Sequence, residues 1–390
     1  MGDSPNPVAT PASERGALTS RGGTLSVVIV ISVALFVLTH FVNAAYQRER
    51  AALAEHWLKT GDTDFAAGNA ASAVDSYRAA LTYDSTNPDT TLKLAEALAR
   101  AGQQRQATSY LLTLLQEEPG NGPVNLALAR LATKEQDSSD AVRYYHGAIY
   151  GGWSGQGQAM RRQARLELVD FLLNHNAVTN ARSELIGLTA DLPRDPAVIA
   201  DVADRFVRAG DDENALRLYR DVIGLRKATP AIWSAAGMSA FRLADYRVAE
   251  EYLARAKGAG DNSVAASLDT ARAVLELDPF ARGLPTSRRI ERLRRVLDIA
   301  AARAEVCKPP QPSTSISPAA AQMVDQLDTE KEASLLRQQL SSSRELDPDV
   351  TDAVMRFVLR VEQSGGQCPA ASSQDSAATL IARNRQAEER

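Results

Sequence analysis

The chain has 390 residues, 44% hydrophobic and 24% charged, the make-up of a folded protein and not of a disordered one. Lysine and arginine (44) against aspartate and glutamate (48) leave a net charge of −4, so nothing points to nucleic acid, which favours a strongly basic face. Two cysteines and four histidines supply little for a metal site, and no cofactor is expected.

The first 23 residues are rich in proline, serine and glycine and are predicted to be a disordered leader. From Thr24 to Ala45 no side chain is charged, and as a helix this stretch rises about 33 Å, the hydrocarbon thickness of a bilayer. Arg21 stands before it, and Tyr46, Arg48 and Arg50 follow, the residue types that sit at headgroup depth. Residues 24–46 are therefore predicted to be a transmembrane helix. The alternative is a cleaved signal peptide, since Val42-Asn43-Ala44 fits a cleavage site. No glycine or proline interrupts Thr24 to Thr60, so the span is expected to run directly into the next helix.

Alanines then recur at Ala73, Ala107, Ala141, Ala181, Ala215 and Ala249, at intervals of 34, 34, 40, 34 and 34 residues. Four residues after each stand Tyr77, Leu111, Tyr145, Leu185, Tyr219 and Leu253, all large. Twelve before stand Gly61, Ala95, Ala129, Val169, Ala203 and Gly237, nearly all small. Five before stand Gly68, Gly102, Gln136, Asn176, Gly210 and Ala244, mostly types that end a helix. Each unit reads as two helices joined by a short turn, the small residue letting the first approach its neighbour. No unit can bury its apolar face alone, so the pairs must stack.

These columns resemble the tetratricopeptide repeat family. Trp57 with Gly61 and Trp233 with Gly237 match the opening of its signature; Ala73 with Tyr77 and Ala215 with Tyr219 match its second half; Pro119 and Pro193 match its closing proline. The resemblance covers residues 54–263, about six repeats beginning near Ala54, Pro88, Gly122, Arg162, Pro196 and Pro230. Asp64 departs from the pattern in repeat one, and repeats three and four are poor at the Trp and Tyr columns. The resemblance implies an all-α superhelical solenoid of antiparallel helix pairs, preceded here by the transmembrane helix and followed by capping helices. It also implies a groove lined by first-helix residues that takes a peptide or partner helix. Lys93, Glu96, Arg100, Arg130, Lys134, Glu167, Asp170, Asp204, Arg208, Met238, Phe241 and Arg242 fall at those positions. The lysine and asparagine set of the family's carboxylate clamp is not found. The six extra residues near Tyr150 to Gly157 read as a spacer loop or, with Tyr150 and Trp153 exposed, as a binding loop.

Beyond the repeats, residues 264–307 are predicted to be capping helices, the second rich in arginine at 288, 289, 292, 294 and 295, a face expected to pair with acids. Residues 308–319 read as a Pro/Ser linker, 320–368 as a helical hairpin and 369–390 as a mobile tail. Cys307 and Cys368 each end a helix. Paired, they would close a loop of about 60 residues, worth on the order of 4 kcal/mol in the chain-entropy model, and would indicate an oxidising compartment. Unpaired thiols in a reducing cytoplasm are the alternative.

No phosphate loop, C-x-x-C, H-E-x-x-H or G-x-S-x-G motif is present, so an enzyme is not expected. The sequence points to a single-pass membrane scaffold, its repeats on the periplasmic side, that binds a protein partner within an envelope assembly. A self-associating structural component, or a regulatory subunit of an enzyme complex, is the alternative.

Overall fold

A computed structural model describes residues 15–155, 157–307, 318–342, 345–363 and 368–388. Among the described residues the fold is all-α, with seventeen α-helices and no strand. The chain divides into two compact units, residues 1–165 and 166–390.

In the first unit, α1 (Arg15–Ala66) runs unbroken from the apolar segment into the first repeat and pairs with α2 (Ala70–Tyr83). Then come α3 (Pro88–Arg100) with α4 (Gln104–Glu117), and α5 (Gly122–Lys134) with α6 (Ser138–Tyr150). The part of α1 in Ser26–Ala66 is the one described helix long and apolar enough to cross a membrane. Its side chains from Val27 to Val42 are exposed all round. The leader expectation needs correcting from Arg15 onward, because no proline follows and Ala17 and Leu18 are good helix formers. Residues 1–14 of the leader lie outside the described residues.

α7 (Gly157–Asn174) starts five residues before the expected Arg162, so most of the insertion lengthens a helix. In the second unit α8 (Val178–Thr189) follows, then α9 (Pro196–Arg208) with α10 (Asp212–Gly224) and α11 (Pro230–Arg242) with α12 (Tyr246–Gly258).

The columns explain the packing. All six alanines of the anchor column are fully buried at 0% exposure, and the large residues four later are at most 3% exposed. Each can be that small or that large only because its partner column is complementary. A Cβ on Gly61 would lie 2.6 Å from the Tyr77 ring, and one on Gly237 2.6 Å from Leu253. The turn column is uniform too: Gly68, Gly102, Gln136, Asn176, Gly210 and Ala244 all have positive φ, between +57° and +85°. The residue after each donates its N–H five residues back, as Gln103 to Leu98 (2.8 Å) and Asp211 to Phe206 (2.9 Å), the Schellman closure. That next residue also starts the second helix. Asp137, Asp211 and Asp245 cap it by accepting from Asp140, Asn214 and Val248.

Four more numbered helices follow a short 3-10 turn and α13 (Ala265–Leu277): α14 (Thr286–Val306), α15 (Pro318–Ser342), α16 (Pro348–Gln363) and α17 (Ser373–Glu388). Of the expected linker, 308–317 lies outside the described residues. α14 packs with α15 and α16, and its arginines strap the group: Arg294 donates to the Leu340 carbonyl (2.6 Å), Arg292 to that of Asp278 (2.8 Å), and Arg295 pairs with Glu276 (2.7 Å). Cys307 and Cys368 are joined by a disulfide.

The mobile-tail expectation is overturned: α17 is a packed helix against α13, α14 and α16, with Ala377, Ala378, Ile381 and Ala382 buried. Its start is a capping box, in which Ser372 Oγ accepts from the Asp375 N–H (3.1 Å) and Asp375 accepts from the Ser372 N–H (2.8 Å).

Candidate functional site

The residues expected to line a groove are held by first helices, and both neighbouring first helices and second helices tie them in place. In the first unit, Lys93 Nζ on α3 lies 2.8 Å from both oxygens of Asp62 on α1, and the Tyr77 hydroxyl donates to Asp62 at 2.9 Å. Glu96 is half-buried beneath Arg130, Lys93 and Arg100. Burial pushes its carboxyl up, and the three cations pull the other way. Arg100 donates to the Phe65 carbonyl (3.2 Å) and lies 4.1 Å above the Phe65 ring. Lys134 is exposed on the last turn of α5.

The second unit repeats the scheme with arginine. Asp170 on α7 accepts from Arg205 (2.8 Å) and Arg208 (2.6 Å) on α9. The Tyr219 hydroxyl donates to Asp204 at 2.5 Å. Arg242 on α11 takes Asp212 with two nitrogens (2.8 and 2.6 Å) and also reaches Ser239 at 3.2 Å. Hydrogen bonding by Asp212 raises the Arg242 guanidinium, so it stays charged. Burial, followed by the adjacent carboxylate, raises the phenols of both Tyr77 and Tyr219. Phe241 packs edge-on against Tyr246, ring centres 5.4 Å apart.

Asp62, Arg205 and Asp212 were not singled out in the sequence. Asp62 was within reach of column reasoning: it stands eleven before its anchor alanine, as do Glu96, Arg130, Asp170 and Asp204. Seven before the anchor stand Arg100, Lys134, Arg208 and Arg242, so four of six first helices carry a cation on their last turn. A cation there stabilises the helix against its own dipole. It also leaves a partly exposed basic column in each unit: Arg208 and Arg242 side chains are 48% and 40% exposed despite their partners.

The loop reading needs a correction. Tyr150 is exposed, but Trp153 is not a free binding element. Its Nε1 donates to the Ala148 carbonyl (2.8 Å), and its indole fills the space above Gly122, where a Cβ would meet it at 2.3 Å. Around it Gly152 pairs with the preceding inter-repeat turn, donating to Gly120 (2.7 Å) and accepting from Gly122 (2.9 Å), while Arg161 donates to the Gly151 carbonyl (2.9 Å). The indole closes a joint between repeats and is part-buried there.

No family model and no curated protein matches the chain. Solved structures do. The C-terminal part of a tetratricopeptide repeat-containing protein from Cytophaga hutchinsonii aligns over 62% of this chain and 94% of its own, at 12% identity and a TM-score of 0.42. PilW, a type IV pilus biogenesis factor, aligns over 53% of this chain and 92% of its own, at 15% identity and a TM-score of 0.38. YrrB, described as a tetratricopeptide protein with an unusual peptide-binding site, aligns over 47% and 91%, at 16% identity and a TM-score of 0.32. The chain's own columns, with every anchor alanine buried and every turn residue left-handed, resemble those of tetratricopeptide-type helix pairs.

Proposed function

We propose that the chain is a single-pass membrane scaffold whose first-helix faces capture a protein partner bearing acidic groups. The observation that carries this is α1, which is at once an exposed apolar rod and the first helix of repeat one. From Val27 to Val42 its large apolar side chains are between 52% and 73% exposed, a surface that needs lipid around it. Arg50 follows within four residues of Tyr46, 5.8 Å above its ring, and reaches the Thr82 carbonyl on α2 at 3.4 Å, so the repeats begin at headgroup depth. Helix continuity favours an uncleaved anchor, since cleavage after Ala44 would cut through α1. The Cys307–Cys368 disulfide supports repeats outside the cytoplasm, where thiols oxidise.

The partner's acidity follows from the basic column. Asp62, Asp170 and Asp212 are already satisfied by neighbouring cations, whereas Arg100, Lys134, Arg208 and Arg242 keep exposed faces at repeat spacing. The test has two arms. Full-length protein should stay in the membrane fraction through an alkaline carbonate wash; release would remove the anchor. Cross-linking in native membranes then identifies captured proteins, and Arg100→Glu with Lys134→Glu should reduce their recovery at least about tenfold without loss of helicity. Unchanged recovery would remove the groove assignment.

A further inference from the structure

The repeat series does not stop at α12. α13 packs on α12 as α3 packs on α2 and α11 on α10, but its own second helix is not α14. That place is taken by α17, from the far end of the sequence. α17 carries the second-helix pattern: Ala377 is at 0% exposure, and Ile381, four residues on, is at 3%. Three residues further, Asn384 donates to the Tyr246 hydroxyl on α12 at 3.2 Å. Opposite it α13 presents Leu268, Ala271 and Val274, all buried. Arg385 lies 5.1 Å above the Phe280 ring just beyond α13.

The buried face of α17 is mostly alanine, with Ile381 its one large fully buried residue. Such a face buries little apolar area, and a lone helix of 16 residues is marginal in water. Its docking therefore depends on how the helix is delivered. Cys368 stands five residues before Ser373 and is bonded to Cys307 at the end of α14, where Arg303 also donates to the Pro369 carbonyl at 2.8 Å.

We propose that the face of α13 is a helix-docking site able to take α17 from a second copy of this chain, and that the disulfide is the clamp that keeps the docking within one chain. The complementarity is already present in cis, so a second copy needs no new surface. With Cys368 fixed, only residues 369–372 separate clamp from helix, a reach of about 14 Å at most. Without it, the link from α16 is residues 364–372, up to about 30 Å, enough to cross to a neighbour. Exchange of an identical element between protomers is a low-cost route to a dimer. The site stands whether or not α1 spans a membrane.

Hydrogen exchange on the full chain in detergent tests this with Cys307→Ser plus Cys368→Ser. In the variant, protection of residues 373–388 should rise at least about twofold as protein concentration rises, because a second copy then adds docking in trans to the tethered docking in cis; in the wild type it should not change with concentration. Adding Ile381→Asp should abolish the rise. Concentration-independent protection in the double-serine chain, or a rise that survives Ile381→Asp, overturns the proposal. Residues 196–258 serve as the internal fold control. If they lose protection in the variant, the wild-type chain compared with and without a dithiol reductant gives the same reading.

Discussion

In repeat one Gly61 lies under the ring of Tyr77; in repeat six Gly237 lies under Leu253. The first pairing is side chain against side chain, and the ring is held from above by its bond to Asp62. The second also brings the Leu253 backbone nitrogen to 3.0 Å of where a Cβ would stand. The two units thus meet one requirement, close approach of paired helices, with different reserves of adjustment. A ring can tilt a few tenths of an ångström; backbone cannot. Charged rungs join repeats in both units, Lys93 on Asp62 in the first and arginine on aspartate in the second, at Asp170, Arg205, Arg208, Asp212 and Arg242; the first adds one indole, Trp153 over Gly122.

The largest effect expected from breaking this comparison is at the small column. Gly237→Ala should cost about 2 kcal/mol, overpacking against fixed backbone at the upper end of its range, about 3 kcal/mol, minus about 1 kcal/mol of helix propensity gained. Gly61→Ala should cost about half as much. Urea titration followed by exchange of amides within each unit measures the two separately. Equal costs would mean that the ring of Tyr77 is as immobile as the backbone of Leu253.

Next in size are the tyrosine–aspartate bonds. Tyr219→Phe should cost about 1 kcal/mol, discounted because Asp204 is exposed, and Tyr77→Phe less, since Asp62 keeps Lys93. The two variants also separate at high pH. Both phenols are raised in the fold, so the stability they contribute is fully present below their unfolded value, about 10, and is lost as pH climbs beyond it towards the folded value. Wild-type thermal midpoints should fall between pH 10 and 11.5, and the double Phe variant should fall less. A variant that tracks the wild type across that range would place the alkaline loss on other groups.

How much of this was legible before any coordinates follows from sequence distance. The anchor alanines, their large partners and the turn column recur every 34 residues with one interval of 40, so a near-fixed period exposes them, and α1's continuity needed only the lack of Gly and Pro. The same reading placed Lys93, Glu96, Arg100 and Asp170 on first helices. It treated them as groove charges, because a period gives a face and not the neighbour that shares it. Rungs such as Asp170–Arg205 span 35 residues and become visible only when columns are compared between repeats. Trp153 reads as exposed because a Gly-rich insertion looks like a loop; Gly122, outside the insertion, makes room for its ring. α17 was the hardest case. Its partner α13 lies about a hundred residues away, its apolar content is mostly alanine, and the one local signal was the capping box at Ser372 and Asp375.

The turn column offers the smallest and most direct comparison. In the first unit Gly102 holds φ +82°, and Gln136, one repeat later, is forced to +59°; in the second, Gly210 holds +67° and Ala244 is forced to +58°. The Schellman bonds are the same in all four, with Asp137 donating to Ala132 at 3.0 Å and Asp245 to Ala240 at 2.9 Å, so the turn itself imposes the left-handed backbone. For a residue with a Cβ that conformation costs about 1 kcal/mol, offset in part by the greater freedom a glycine gains when unfolded. Gln136→Gly and Ala244→Gly should each stabilise their unit by about 0.5 kcal/mol, and the converse, Gly102→Ala, should destabilise by about 1 kcal/mol. Alanine has no side chain beyond Cβ that could compensate at position 244, whereas glutamine can still hydrogen-bond to solvent or backbone at 136. The gain at 244 should therefore be the larger of the two. Unit-resolved exchange under mild urea measures both. A loss of stability in Ala244→Gly would mean that its methyl packs in the turn and that the strain is already balanced there.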